Sequence, residues 1–489
     1  MGSEKLYKKI LLIRPDYKES HYEYIGLPAG LGYLSQALDN AGIVHDVFDM
    51  SLERSYGALE ERIASFKPDL VGISMMSFKY KDHYALADFI KAKFPEITII
   101  TGGPHISTFR ERALLECSSI DYGVTLEGEE AVKELCFIGK SPKDIKGILY
   151  REAGQVLYSG DREFASKLDD IPFPRYKHFY LKKYPAFIPI LTSRGCPYDC
   201  IFCPVKVTIG RKLRVRSPSS VVNEIEFWHG KGVRVFNIVD DNFSFYRDRV
   251  LEICNEIKKR NLTGLTLSCR NGIRADTVDR NMLIAMKEAG FNYLAFGVES
   301  GSEKMLKIIK KGEALGDVEK AIRDACDLGF MVTLFFIIGL PYETEEDAYK
   351  SLELALKYPV FDVRFYNPIP FPGTELYDWV KKNGCFRETE EGYLNYSSHW
   401  VNRPIFETPE MPAALRKRLY SEFNMKTKKH TSKTKIHFSR ELEKLFTKVG
   451  VPVFFSGILA RLYYTPFFQK AIVESGIGAK LKKYIVKTN

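Results

Sequence analysis

Through its first 140 residues the chain alternates short apolar runs with longer stretches whose apolar positions recur at helical spacing. Lys9–Arg14, Ile43–Phe48, Leu70–Met76, Ile97–Thr101 and Tyr122–Thr125 are brief, apolar and bounded by turn residues, which predicts strands. Leu31–Asn40, Gly57–Phe66, Tyr84–Phe94 and Glu129–Phe137 carry the helical pattern between them. Strands alternating with amphipathic helices imply βαβ units and a parallel sheet covered on both faces.

The rhythm pauses and then resumes. Residues 141–184 form a polar linker, with a small hairpin expected around Glu152-Ala153-Gly154 and a stiff, proline-bearing stretch from Leu168 to Pro174. Over 185–385 six further strand–helix units are predicted, with strands at Phe187–Thr192, Val233–Val239, Leu265–Ser268, Tyr293–Val298, Met331–Ile338 and Val363–Asn367. Residues 386–489 break the pattern and read as a basic, mostly helical C-terminal region.

Charge changes the picture only at that end. The net charge is +10, yet Ala413–Asn489 holds 17 Lys and Arg against 4 Glu, a local +13 that leaves the preceding 412 residues at −3. Arg416–Lys435 is strongly basic, and Val449–Phe468 is apolar and aromatic but interrupted by Pro452, Arg461 and Pro466. The interruptions argue against a spanning helix, while basic residues beside apolar ones suit an interfacial segment. Peripheral contact with a membrane surface is therefore expected, the alternative being a helical subdomain that covers the preceding strands. The charge would suit nucleic acid too, but no recognisable binding module accompanies it, so no nucleic-acid partner is expected. With no signal peptide expected at the N-terminus and no run of about twenty uninterrupted apolar residues, the expected location is cytoplasmic.

Nine cysteines are present, and three stand together in Thr192-Ser193-Arg194-Gly195-Cys196-Pro197-Tyr198-Asp199-Cys200-Ile201-Phe202-Cys203-Pro204. Spacings of three and two residues let one loop offer three thiolates to one face of a [4Fe-4S] cluster, leaving the fourth iron open. A structural zinc site usually needs four ligands, often as separated pairs, and no second Cys-x-x-Cys exists here. Cys117, Cys136, Cys254, Cys269, Cys326 and Cys385 are scattered singly and read as packing residues.

The triad, with Phe202 before its last cysteine, resembles the signature of the radical S-adenosylmethionine (SAM) superfamily. The resemblance implies that Cys196, Cys200 and Cys203 hold the cluster, that the open iron binds the amino and carboxylate groups of SAM, and that an external flavodoxin- or ferredoxin-type donor supplies the electron releasing a 5'-deoxyadenosyl radical. It also implies a partial (β/α)6 barrel over 185–385, with chemistry at the carboxyl ends of its strands. The residues following those strands include Asp241, Arg270, Glu299 with Ser300, and Gly339 with Pro341, the expected SAM contacts.

Residues 1–140 look like the Rossmann-like (flavodoxin-like) cobalamin-binding domain that precedes the barrel in the B12-dependent branch. Gly102-Gly103-Pro104-His105 and, later, Glu127-Gly128 resemble hallmarks of that branch, so Gly102, Gly103, Pro104, Glu127 and Gly128 are the expected cobalamin contacts. Arg14-Pro15-Asp16-Tyr17-Lys18-Glu19-Ser20-His21 does not match Asp-x-His-x-x-Gly, so no histidine ligand to cobalt is expected. The implied activity is methylation of an unactivated carbon in a hydrophobic, lipid-like small molecule. A cyclase, or a carbon–carbon bond-forming or oxygenating enzyme of the same class, without bound cobalamin in one version, is the alternative. A non-enzymatic sensor would not need an open-iron triad.

Overall fold

The computed structural model describes residues 5–16, 26–396 and 402–448. His21 and the apolar run 449–468 lie outside the described residues. Two compact units emerge, and each interleaves segments distant in sequence. The first comprises Met1–Tyr184, Ser193–Arg216 and Ile369–Ser398; the second comprises Pro185–Thr192, Ser217–Pro368 and His399–Asn489. The cysteine segment thus packs with the N-terminal sheet, although chain order places it among the later strand–helix units.

The first unit is built on strands β1 (Lys9–Arg14), β2 (Val44–Asp49), β3 (Leu70–Ser74), β4 (Thr98–Gly102), β5 (Tyr122–Val124), β6 (Ile148–Glu152) and β7 (Gln155–Tyr158). Their order is β2-β1-β3-β4-β5-β6-β7. The first five are parallel, and β1 and β3 are almost continuously buried, as strands covered on both faces must be. The strand order reverses between β1 and β3, the switch point beyond whose carboxyl ends such sheets bind ligands. The expected hairpin forms, and it extends this sheet as antiparallel β6 and β7. Positive φ at both Ala153 (50°) and Gly154 (80°) gives the two-residue turn whose twist suits paired strands.

The second unit carries β8 (Ile188–Ile190), and after it in the chain, within the first unit, comes the short antiparallel pair β9 (Ser193–Arg194) and β10 (Arg214–Val215). The second unit continues with β11 (Val235–Ile238), β12 (Thr266–Ile273), β13 (Phe291–Glu299), β14 (Met331–Ile337) and β15 (Asp362–Tyr366). All six of its strands are parallel, in the order β15-β14-β13-β12-β11-β8, with a helix in each connection. One strand end departs from expectation. Arg270, Asn271 and Gly272 lie inside β12, where the register with β13 slips between Cys269 and Ile273. A bulge of this kind re-aims side chains without ending the strand.

The basic segment Arg416–Lys435 is the other departure. It belongs to the helix Ala413–Lys448, which buries Ala413, Arg416, Leu419, Phe423, Thr427 and Thr431 along one face. Phe423 packs edge-on against Phe365 of β15 and Tyr349, each 5.2 Å away between ring centres. His430 Nε2 lies 2.8 Å from the Tyr358 carbonyl, and Lys435 pairs with Asp362 at 3.1 Å. This stretch is a packed cover on the β15 edge, its apolar positions repeating every three or four residues between the lysines. Among the described residues no helix is long and apolar enough to cross a membrane.

Candidate functional site

The three cysteines lie on an excursion closed at its root by β9 and β10, where Arg194 pairs with Arg214 and Ser193 with Val215. Gly195 opens the loop at φ 87°, and a Cβ there would stand 2.5 Å from the Lys212 carbonyl oxygen and 2.9 Å from that of Gly210. Only glycine fits so close a backbone approach. The Cys196 N–H donates to the Gly210 carbonyl at 3.3 Å, and the Cys203 N–H to that of Cys200 at 3.1 Å, which tightens the turn between the last two thiols. The Leu376 N–H donates to the Ile201 carbonyl at 2.9 Å, so the segment after β15 braces the same loop.

All three thiols are half-buried. Burial pushes Cys117, Cys136, Cys254 and Cys326 up to about 12, and Cys269 well above its usual value. Those five are poor thiolate ligands, as the packing reading requires. The donor set of Cys196, Cys200 and Cys203, three sulfurs on one tight loop, fits a [4Fe-4S] cluster with one iron left open.

Beneath the loop lies a network that spacing along the chain did not reveal. Arg194 places Nη1 2.9 Å from Glu127 Oε1 and Nη2 2.6 Å from Glu129 Oε1. Arg214 grips the same Glu127, with Nη1 2.9 Å from Oε2 and Nη2 2.8 Å from Oε1. Each guanidinium also covers a ring, Arg194 over Tyr33 at 4.9 Å and Arg214 over Phe164 at 4.2 Å. Burial alone would raise the Glu127 carboxyl, but Arg214 and Arg194 outweigh it and hold the group below its ordinary value. Both oxygens of Glu127 are therefore committed to arginine.

At the carboxyl ends of β3 and β4, backbone meets backbone. Met75 N–H donates to the Gly102 carbonyl at 2.7 Å, and His105 N–H to that of Met75 at 3.2 Å. Gly103 has φ 107°, and a Cβ would fall 2.7 Å from the Met75 oxygen. Pro104 then starts the helix Pro104–Phe109. Gly102, which ends β4, and Gly128, which precedes the helix Glu129–Leu135, would have room for a Cβ, at 3.6 and 3.5 Å from their nearest neighbours. The tight backbone approach at Gly103 and the bare Gly102 beside it, near the switch point, are what close packing of a bulky planar corrinoid against backbone would need. His105 is fully buried against Tyr80, Tyr84 and Phe109; burial pushes it down to about 3, and the Tyr84 hydroxyl lies 2.8 Å from Nε2. It is a neutral core residue.

In the second unit, the expected strand-end residues divide between exposed and interior positions. Asp240 is buried and accepts from the Thr192 N–H at 2.6 Å, whereas Asp241 is exposed. Arg270 is exposed, with its guanidinium 4.2 Å above the Tyr293 ring. Glu299 ends β13 at φ 63° and pairs with the buried Lys311 at 3.2 Å. A Cβ on Gly297 would stand 2.7 Å from Glu299 Oε1, so that glycine makes room for the carboxylate. Ser300 is buried, its hydroxyl accepting from the Ser302 N–H at 3.2 Å.

The turn Gly339-Leu340-Pro341 rests on two groups that motif reading missed. Glu343 Oε2 accepts from the N–H groups of Gly339 (2.5 Å) and Leu340 (3.0 Å), while Arg416 donates to the Gly339 carbonyl at 2.9 Å. A Cβ on Gly339 would fall 1.9 Å from Arg416 Nε. Burial raises the Glu343 carboxyl to about 7. A fully buried Glu beside a buried Arg leaves no periodic signature.

Comparison with known proteins bears on both units. The family model for the radical SAM superfamily matches residues 190–355, and that for the B12 binding domain matches residues 20–136. An uncharacterized methyltransferase of Pyrococcus horikoshii is 29% identical over 435 residues, covering 86% of this chain and 93% of the relative. An anaerobic magnesium-protoporphyrin IX monomethyl ester cyclase of Rubrivivax gelatinosus is 26% identical over 404 residues, covering 77% and 72%. The solved structure of the radical SAM methyltransferase TsrM from Kitasatospora setae, with cobalamin and a [4Fe-4S] cluster bound, shares the fold: TM-score 0.68, 19% identity, 85% of each chain covered.

Proposed function

Because this chain belongs to the radical SAM superfamily, in the branch that carries a B12-binding domain ahead of its barrel, we propose that it methylates an unactivated carbon of a small apolar substrate. The observation that carries the reading is the glycine-clamped loop with its three half-buried cysteines, on a chain that also brings backbone close to backbone at Gly102–Gly103. When bound, the cluster with SAM supplies a carbon-centred radical, and the corrinoid supplies a transferable methyl group.

The chain's own part is to hold and orient. Cys196, Cys200 and Cys203 would hold the cluster, and a flavodoxin- or ferredoxin-type partner would reduce it. Asp241, Arg270, Glu299, Ser300, Gly339 and Pro341 would bind SAM, with Glu299 offering a carboxylate to its amino group and Gly339–Pro341 a flat backbone to its adenine. Gly102, Gly103, Pro104 and Gly128 would let the corrinoid lie close to backbone. Glu127, committed to Arg194 and Arg214, supports the loop and leaves corrinoid contact to its neighbours. An apolar substrate is supported by the apolar and aromatic run 449–468, which lies outside the described residues.

Ring closure is the second reading, favoured by the cyclase among the relatives. Anaerobic turnover of reconstituted protein with methyl-labelled SAM and a small-molecule extract separates them. Labelled product supports methyl transfer; 5'-deoxyadenosine without labelled product moves the assignment to the cyclase reading.

A further inference from the structure

We infer that Glu127 is a positioning residue for the iron–sulfur cluster, tying the root of the cysteine loop to the corrinoid-side end of the first sheet. The inference rests on the reading that Cys196, Cys200 and Cys203 hold the cluster. Arg194 stands two residues before Cys196, and Arg214 faces it across the ladder that closes the loop. One carboxylate therefore grips both ends of the excursion. Both arginines are nearly buried, at 9% and 5% exposure, so neither can replace Glu127 with water.

Glu127 is itself held from the other side. Leu126, its neighbour, sits at φ 57°, and its N–H donates to Ser107 Oγ at 2.8 Å; Ser107 lies in the helix that Gly103 and Pro104 begin. A continuous set of contacts thus runs from the Gly103 turn through Ser107, Leu126 and Glu127 to the two residues flanking the thiol loop, all within one compact unit. Two cofactors that must cooperate at fixed separation would gain from such a shared support, since small misplacement costs large factors in rate.

Removing the charge leaves two buried guanidiniums facing one remaining carboxylate, Glu129, which loosens the ladder. It also makes the surroundings of Cys196 more positive, which favours the reduced cluster. The test reconstitutes full-length wild type, Glu127→Gln, Glu127→Asp and Arg214→Lys anaerobically with iron and sulfide. Retained iron, the reduced-cluster electron paramagnetic resonance signal, midpoint potential, circular dichroism and hydroxocobalamin retention are then measured.

The expected result for Glu127→Gln is a several-fold loss of retained iron, an altered signal and a more positive potential in what remains, with helical content and corrinoid retention unchanged. Glu127→Asp should restore much of the iron. If Glu127→Gln misfolds, Arg214→Lys, which keeps the charge but not the fork, should show the same signal change more mildly. Wild-type iron, signal and potential in Glu127→Gln and Arg214→Lys would overturn the inference, as would parallel loss of fold, corrinoid and iron in every variant. A wild type that takes up no cluster would instead overturn the reading of the triad, and the inference with it.

Discussion

Replacing Gly195 with Ala perturbs the cysteine loop at its hinge. The residue sits at φ 87°, where an L side chain costs roughly 1–2 kcal/mol. The new Cβ would also meet two backbone oxygens, at 2.5 and 2.9 Å, neither of which belongs to a flexible side chain. Forcing such overlap apart adds about 1–3 kcal/mol. The total, about 2–5 kcal/mol, is comparable with what holds the loop root closed, the two-residue ladder β9–β10 at about 1 kcal/mol per hydrogen bond together with the Glu127 bridge. Strain should therefore be relieved by opening the loop root and not by unfolding the sheet. Gly154→Ala is the matched control, with φ 80° and nothing within 4 Å of its Cβ. The assay is iron and sulfide per chain after anaerobic reconstitution, with thermal unfolding alongside. Gly195→Ala should retain several-fold less iron than Gly154→Ala at a similar unfolding midpoint. Equal iron in the two variants would refute the argument that the clamped loop shapes the cluster site.

Further outcomes follow from the same geometry. Cys200→Ala should abolish cluster assembly, while Cys254→Ala, a buried thiol pushed up to about 12, should leave iron content unchanged. Glu343, raised from 4.5 to about 7 by burial, binds its proton more tightly folded than unfolded; its contribution is full below pH 4.5 and is lost as pH rises through 7. Thermal midpoints should accordingly fall over that window, and Glu343→Gln should flatten the fall. Truncation before Lys426 removes the buried Thr427 and Thr431, the His430 contact and the Lys435–Asp362 pair, and should lower the unfolding midpoint by several degrees.

Much of the architecture was legible because buried parallel strands are nearly continuous apolar runs. Lys9–Arg14 and Met331–Ile337 could be read almost to the residue for that reason. The cysteine triad was legible because its ligands share one short loop. What escaped depends on distant partners. Arg270–Gly272 looked like a loop, but pairing with β13 keeps it within a bulged strand. The helices Pro104–Phe109 and Glu111–Glu116 were missed because each is only six residues, too short to show a period, and Arg110 between them takes φ 49°. Glu127 resembled a cofactor contact, yet its partners lie 67 and 87 residues along the chain. Arg416 read as part of a strongly basic run and is fully buried, over the Phe406 ring and beneath the Gly339 turn. Ion pairs across such separations have no spacing to betray them.

The central claim, a three-cysteine cluster with one iron open to SAM, is tested most directly by electron paramagnetic resonance of the reduced, reconstituted protein with and without SAM. The account predicts about four irons per chain and a reduced-cluster signal that changes when SAM is added, because SAM occupies the open iron. A signal identical with and without SAM, or a full signal in Cys200→Ala, would contradict it.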